Sequence, residues 1–276
     1  MDPSKTVISP KQTVAFELKE FIQRKELLYF FTWRNFKIRY KQTLIGAGWA
    51  VFRPFILMVV FTLAFNRVAS VESGSSDIPY PLFAYAGLMY WSYFSQTVNQ
   101  VGDSLVSYQG VIQKIYFPRL MIPVSTALTG IIDFFFAILV YFGLSIFYGV
   151  SPGLLGVVLL IPMLLLSLIA VLGIGIFTAS LNVKYRDVRQ ALPFFIQALL
   201  FLTPVVYPVE LVPSNIQWIL FLNPMTGVVD TIQASLLDIR DVQWSMLAIS
   251  VASSLIILII GLAYFKAKER EIADII

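Results

Sequence analysis

The side chains that carry most enzymatic chemistry are missing from this chain. It has no histidine and no cysteine among 276 residues. That removes the imidazole general base, the thiolate nucleophile, the Ser-His-Asp triad and the usual zinc ligands. No G-x-x-x-x-G-K-[ST] loop occurs, so the chain does not cradle ATP in that way. No Asp-x-Asp occurs either, the metal arrangement expected of a membrane glycosyltransferase. Gly173-Ile-Gly175 stands in a long apolar run, where paired small residues serve close helix packing. One acid stands out: Asp133, which borders fifty residues (134–183) without any charge. Such an acid is a candidate functional site by default. A proton relay would need partners at the same depth, and no other apolar segment offers an acid or His. A structural Asp facing a helix bundle is the competing reading. The expectation is no catalytic residue, no metal site and no cofactor bound by this chain.

The elements that must position these residues are membrane helices. Hydrophobic residues make up 58% of the chain and charged residues 13%, with a mean hydropathy of +0.79; a soluble domain carries roughly 25% charge. A helix needs about 20 apolar residues to cross the hydrocarbon. The first span is predicted from Trp49 to Asn66, with Arg53 near its inner end, and the second within Ile78–Gly102. The uncharged fifty residues are too long for one crossing, and the breaker Gly149-Val-Ser-Pro-Gly153 divides them. That predicts spans near Met121–Tyr148 and Leu154–Leu181. A fifth falls in Gln190–Val209 and a sixth in Val242–Phe265, six in all. The fold class is all-α, integral to the membrane.

The basic residues orient the spans. With the N-terminus inside, eighteen of the twenty Lys and Arg fall on cytoplasmic segments, and only Arg67 and Arg240 lie outside. Both termini are therefore expected in the cytoplasm, with the protein in the plasma (inner) membrane. The net charge of +4 reflects the inner face; it is split among four short segments, which argues against nucleic acid as a partner. Residues 1–43 are studded with charge and show no cleavable signal. Val14–Tyr40 reads as an amphipathic interfacial helix, in which Tyr29, Phe30, Phe31, Trp33 and Phe36 alternate with Arg34, Lys37 and Arg39. Residues 1–47 thus form a cytoplasmic N-terminal region, 48–265 the membrane domain and 266–276 a cytoplasmic tail.

Two stretches depart from plain spans. The second span is rich in rings and neutral amides: Tyr85, Tyr90, Trp91, Tyr93 and Phe94, then Gln96, Thr97, Asn99 and Gln100. Such a helix suits a sugar, with C–H faces for stacking and hydroxyls for hydrogen bonds; interface anchoring and helix–helix amide bonds are the plainer use. Between spans five and six, Ser214 and Gln217 form a capping-box pair, predicting a helix of about ten residues that ends at Asn223-Pro224. A second short amphipathic piece, Thr226–Leu237, follows. Two half-length helices over about 204–238 fit a re-entrant outer segment: either a gate, with Tyr207, Trp218, Asn223 and Pro224, or a packed cap.

Several motifs then resemble one family. Tyr40-Lys-Gln-Thr-Leu-Ile-Gly46 with Trp49 and Pro54, Lys114-Ile-Tyr-Phe-Pro-Arg119, Asn182-Val-Lys-Tyr-Arg-Asp-Val188, Pro204-Val-Val-Tyr-Pro208 and Asn223-Pro-Met225 are similar to segments of polysaccharide-export ABC transporter permeases. These are type-2 ABC membrane subunits of the Wzm kind, which export O-antigen, capsule and teichoic acid. The resemblance implies a homodimer with two copies of a separate cytoplasmic ATPase, which supplies ATP and Mg, and a lipid-linked polysaccharide as cargo. It implies ATPase coupling through Lys114, Ile115, Tyr116, Phe117, Pro118 and Arg119, and through Lys184, Tyr185, Arg186 and Asp187. Positive-inside topology explains the charges there but not Tyr116, Phe117 and Pro118. Phe117→Asp is therefore expected to abolish export in a folded protein. Arg34, Lys37, Arg39 and Lys41 become candidates to recruit the diphosphate of the lipid carrier. Export of another cargo by the same architecture, and a membrane enzyme of envelope glycan synthesis, are the competing functions.

Overall fold

The computed structural model describes residues 25–41, 48–68, 78–114 and 117–275. Helices α1 (Lys25–Lys41) and α2 (Gly48–Phe61) come first, and α2 runs on into a wider π-helical turn, Thr62–Val68. Helix α3 (Tyr80–Ser107) is followed by the single turn α4 (Gln109–Ile112), then by α5 (Met121–Tyr148), α6 (Leu154–Lys184) and α7 (Val188–Leu202). A 3-10 turn, Val209–Leu211, leads to the single turn α8 (Gln217–Leu220), α9 (Pro224–Leu236) and α10 (Trp244–Ile275). No strand occurs among the described residues.

Helices α5 and α6 form where the apolar run and its breaker put them. Gly149 closes α5 with φ 69°, a left-handed conformation that favours glycine, and Gly153 stands as the residue before α6. Four described helices are long and apolar enough to cross a membrane: Gly48–Phe65, Met121–Tyr148, Leu154–Lys184 and Trp244–Glu269. The six expected spans are thus matched at four. Helix α3 has 28 residues, about 42 Å, but falls short in hydropathy. Its setting explains why: α2, α5, α6, α7 and α9 all pack on it, and Leu82–Phe94 is buried throughout. A helix covered by protein need not be apolar for lipid. Helix α7 has 15 residues, about 22 Å, and the chain turns at Thr203, so the fifth span is shorter than predicted. Helix α10 continues past Phe265 through the segment read as a separate tail.

The core is organised around α3 and α6. Helices α6 and α10 cross with backbone touching backbone: a Cβ on Gly261 would lie 2.4 Å from the Gly173 carbonyl oxygen. A Cβ on Gly175 would lie 2.5 Å from Val101 of α3. The glycine pair is therefore a packing device, as its apolar surroundings predict. A second, smaller core joins Phe31, Leu105, Phe117, Met121, Ile122, Ile176, Ala179 and Phe265 where the basic loops gather.

Candidate functional site

Three layers of polar or exposed residues stand along the bundle. The first is the end where the basic loops meet. Lys114 and Lys184–Asp187 are exposed there; Ile115 and Tyr116 lie outside the described residues. Arg119 donates to the Glu269 carbonyl at 2.7 Å, and Lys184 pairs with Glu271 at 2.7 Å, so both loops are tied to α10. Lys184 and Lys268 hold the Glu271 carboxyl down to about 2 by hydrogen bonding and charge. What that contact adds is present above the ordinary carboxylate range and lost only as pH falls through about 2. Arg189 pairs with Asp103 at 3.1 Å, and Asn182 donates to the Gly102 carbonyl. A cavity of about 190 Å³ lies beside this pair, lined by Asn99, Leu192 and Pro193 among others.

Phe117 does not face outward. It is 5% exposed, with its ring 5.2 Å from that of Phe31, and belongs to the smaller core. The expectation that a charge there would spare the fold is corrected: Phe117→Asp places a carboxylate in an apolar cluster without a partner. That variant is expected to lose most of its folded protein, whereas Phe117→Leu keeps it. Yield of monodisperse protein by fluorescence-detected size exclusion checks both. Pro118 and Arg119 are half-buried beside it, so among the described residues of the two segments Lys114 and Lys184–Asp187 are the exposed ones.

The second layer is the middle of the bundle. Helix α1 packs along α5; Phe31 enters the smaller core, and Thr129 donates to the Thr32 carbonyl at 3.4 Å. Farther along α1, Arg39 pairs with Asp133 and donates to Gln100 of α3, while Tyr40 donates to the other Asp133 oxygen. Asp133 is thirteenth in the 28-residue α5, near its midpoint. Arg39 is therefore paired with a carboxylate, and Arg34 stacks over Tyr108 at 5.1 Å. Of the four cations offered to a diphosphate, Lys37 and Lys41 are exposed and Arg34 and Arg39 are half-buried. Because Tyr29, Phe30, Trp33 and Ile38 are exposed as well, α1 carries apolar and charged groups together on its outer side. Residues 14–24 of the predicted interfacial helix lie outside the described residues.

The rings of α3 are core. Tyr85, Tyr90 and Phe94 are 0% exposed, and Trp91 and Tyr93 are 3%. Tyr85 donates to the Ala137 carbonyl at 3.2 Å and Tyr90 to the Leu160 carbonyl at 2.8 Å. These phenols join α3 to α5 and α6, so in this conformation they offer no face to a sugar, and the rings pack in the core rather than anchor at a membrane interface. Asn99 donates to the Ser95 carbonyl, and Gln96 lines a cavity of about 10 Å³, roughly one water in size, beside Asp133. Ser92 and Tyr93 are among the residues that line that cavity, and their buried hydroxyls have no partner among the described residues.

The third layer lies at the opposite end. All thirteen residues of α9 are buried, so this helix is enclosed rather than amphipathic at a surface. Asn223 caps it, accepting from the Met225 amide at 3.1 Å and donating to Thr203 at 2.7 Å, and Pro224 takes the first helical position. Gln233 donates to the carbonyls of Phe83 and Val205, and Ser250 accepts from the Gly227 amide. Asp230, buried within α9, pairs with Arg240, which also meets Glu210 at 2.6 Å. The capping-box reading fails: α8 is one turn without a side-chain cap, because Gln217 reaches back to the Val209 and Val212 carbonyls. Trp218, Ile219 and Leu222 are exposed, and Tyr207 donates to the carbonyl at the end of α7. The sequence reading missed Asp230, Gln233 and Glu210; the acid and the amide three residues apart within Pro224–Leu236 were the available signal.

The sequence matches the ABC-2 type transporter family over residues 26–237. It is 27% identical over 260 residues to the O-antigen export system permease protein RfbA of Myxococcus xanthus, covering 93% of this chain and 98% of that one. Identity to the RfbA permease of Klebsiella pneumoniae is 25% over 253 residues, covering 91% and 95%. The polysialic acid transport protein KpsM of Escherichia coli is 22% identical over 241 residues, covering 86% and 91%. The family match takes in all but the first residue of α1 and the whole of α2 through α9, more than half of the chain, so this chain belongs to the ABC-2 type transporter membrane family.

Proposed function

We propose that this chain is the permease subunit of an ATP-driven exporter that moves a lipid-linked polysaccharide, O-antigen foremost, from the cytoplasm across the plasma membrane. Two copies pair, and each engages a separate ATPase subunit, which binds ATP and Mg. The observation that carries the reading is near-full-length similarity to two permeases named for O-antigen export. The weaker match to a polysialic acid transport protein makes capsular polysaccharide the second cargo. A membrane enzyme of glycan synthesis is disfavoured, because the chain lacks His, Cys and an Asp-x-Asp pair.

In this reading α3 and α7 complete six spans, with both termini in the cytoplasm. The gathering of Lys114, Arg119, Lys184–Arg189 and Lys266–Lys268 at one end supports that orientation. The exposed Lys114 and Lys184–Asp187 meet the ATPase. At the far end α9 is the fixed part, held by Asp230, Gln233 and Ser250, and the mostly exposed 210–220 segment is the part that opens. Purification of the chain with its ATPase partner tests the assembly. A complex with two copies of each is expected, whose ATP hydrolysis responds to Lys114→Glu and Arg186→Glu. A permease that purifies without any ATPase would contradict it.

A further inference from the structure

The polar cluster at Asp133 holds more than packing requires. Helix α1 already lies on the bundle through Phe31 and Thr32. Yet Arg39 and Tyr40 both reach the same carboxylate, and Arg39 also reaches Gln100 of α3. Pairs of partly dry charges add little net stability over apolar substitutes, and their best-attested use is to set register. Two donors on one carboxylate fix which residue of α1 stands beside which residue of α5. Eight residues back along α1, about 12 Å of helix, Phe31 meets Phe117 of the loop that follows Lys114. One helix thus joins that basic loop to the middle of α5 and the last third of α3.

We infer that Asp133 is a positioning residue: through Arg39 and Tyr40 it anchors α1, so that displacement of the Lys114–Arg119 loop is carried to the interior of the bundle. The anchoring half stands on this geometry alone, and the coupling half rests on the export reading above. No proton moves in this account. The acid serves as a fixed acceptor for a guanidinium and a phenol, and the Gln100 amide holds the guanidinium from the other side.

The absence of cysteine allows a direct test. In membranes carrying T32C/T129C, a short thiol-reactive cross-linker reports whether α1 is docked, since Thr129 donates to the Thr32 carbonyl. Asp133→Ala is expected to lower the cross-linked fraction about fivefold or more, and the exchange R39D/D133R to restore most of it; coupling energies between sites are commonly worth about 5- to 150-fold. Reconstituted with the ATPase, Asp133→Ala is expected to keep ATP hydrolysis while export per ATP falls about tenfold, with the exchange again restoring it. Simple loss of fold would lower hydrolysis and export together. Asp133→Asn keeps one of the two acceptor oxygens and serves if the alanine variant does not insert; a smaller drop is expected there. Unchanged cross-linking in both Asp133 variants overturns the anchor. Lost cross-linking with unchanged export per ATP overturns the coupling. Failure of the parent protein to export any glycan would overturn the export reading, while cross-linking still decides the anchor.

Discussion

Arg240→Ala is expected to cost about 3–5 kcal/mol and most of the folded protein, because it strands a charge inside α9. Asp230 is 3% exposed, and its carboxylate is met by the Arg240 guanidinium, which in turn holds Glu210 at 2.6 Å. Removing the arginine leaves two acids facing each other with one of them buried. The same cost is not expected when the acid is neutralised first. Asp230→Asn in the Arg240→Ala background should recover much of the loss, since the amide needs no counter-ion. Arg240→Lys should fall between, as it keeps the charge but not the fork. Thermal unfolding of the detergent-solubilised protein separates the three variants. Equal melting temperatures for all of them would show that the triad adds nothing to the seat of α9.

Gly261→Leu is expected to have a comparable effect by a different route. At this crossing α6 and α10 touch through their backbones, and even a Cβ on Gly261 would stand 2.4 Å from the Gly173 oxygen. Backbone cannot swing aside as a side chain can, so the helices must separate along their contact. Overpacking costs typically 1–3 kcal/mol and more where nothing yields. Gly143→Leu is the matched control: a Cβ there meets nothing within 4 Å, and the residue lies on a helix of similar hydropathy. It is expected to stay within about 0.5 kcal/mol of the parent. The folded fraction recovered from membranes distinguishes the two.

Where the chain's local chemistry decides structure, the structure was legible. The break at Gly149–Gly153 needed a left-handed residue and a stop, and both are readable in five letters. Asn223-Pro224 marks a helix boundary in the sequence as the end of one piece, and in the structure it also caps the start of α9. Gly173-Ile-Gly175 declared a close crossing, though not its partner. The misreadings share a cause: the answer lay in what another element covers. Tyr85, Tyr90 and Phe94 look alike whether they face a sugar or three neighbouring helices, and enclosure of α3 settles the matter in favour of packing. Phe117 sits among charges in sequence and among rings in space. Ser214 and Gln217 had the right spacing for a cap, but two upstream carbonyls claimed the Gln217 amide. Asp133 was flagged without a partner because Arg39 lies 94 residues away, and no spacing rule spans such a distance.

Deleting the chain in its own organism tests the export of a lipid-linked polysaccharide. Polysaccharide at the cell surface would be compared with polysaccharide held on its lipid carrier inside the cell. Loss outside with accumulation inside is expected, restored by the intact chain. Loss in both places would place the chain in synthesis and contradict it; unchanged glycan in both would contradict the cargo.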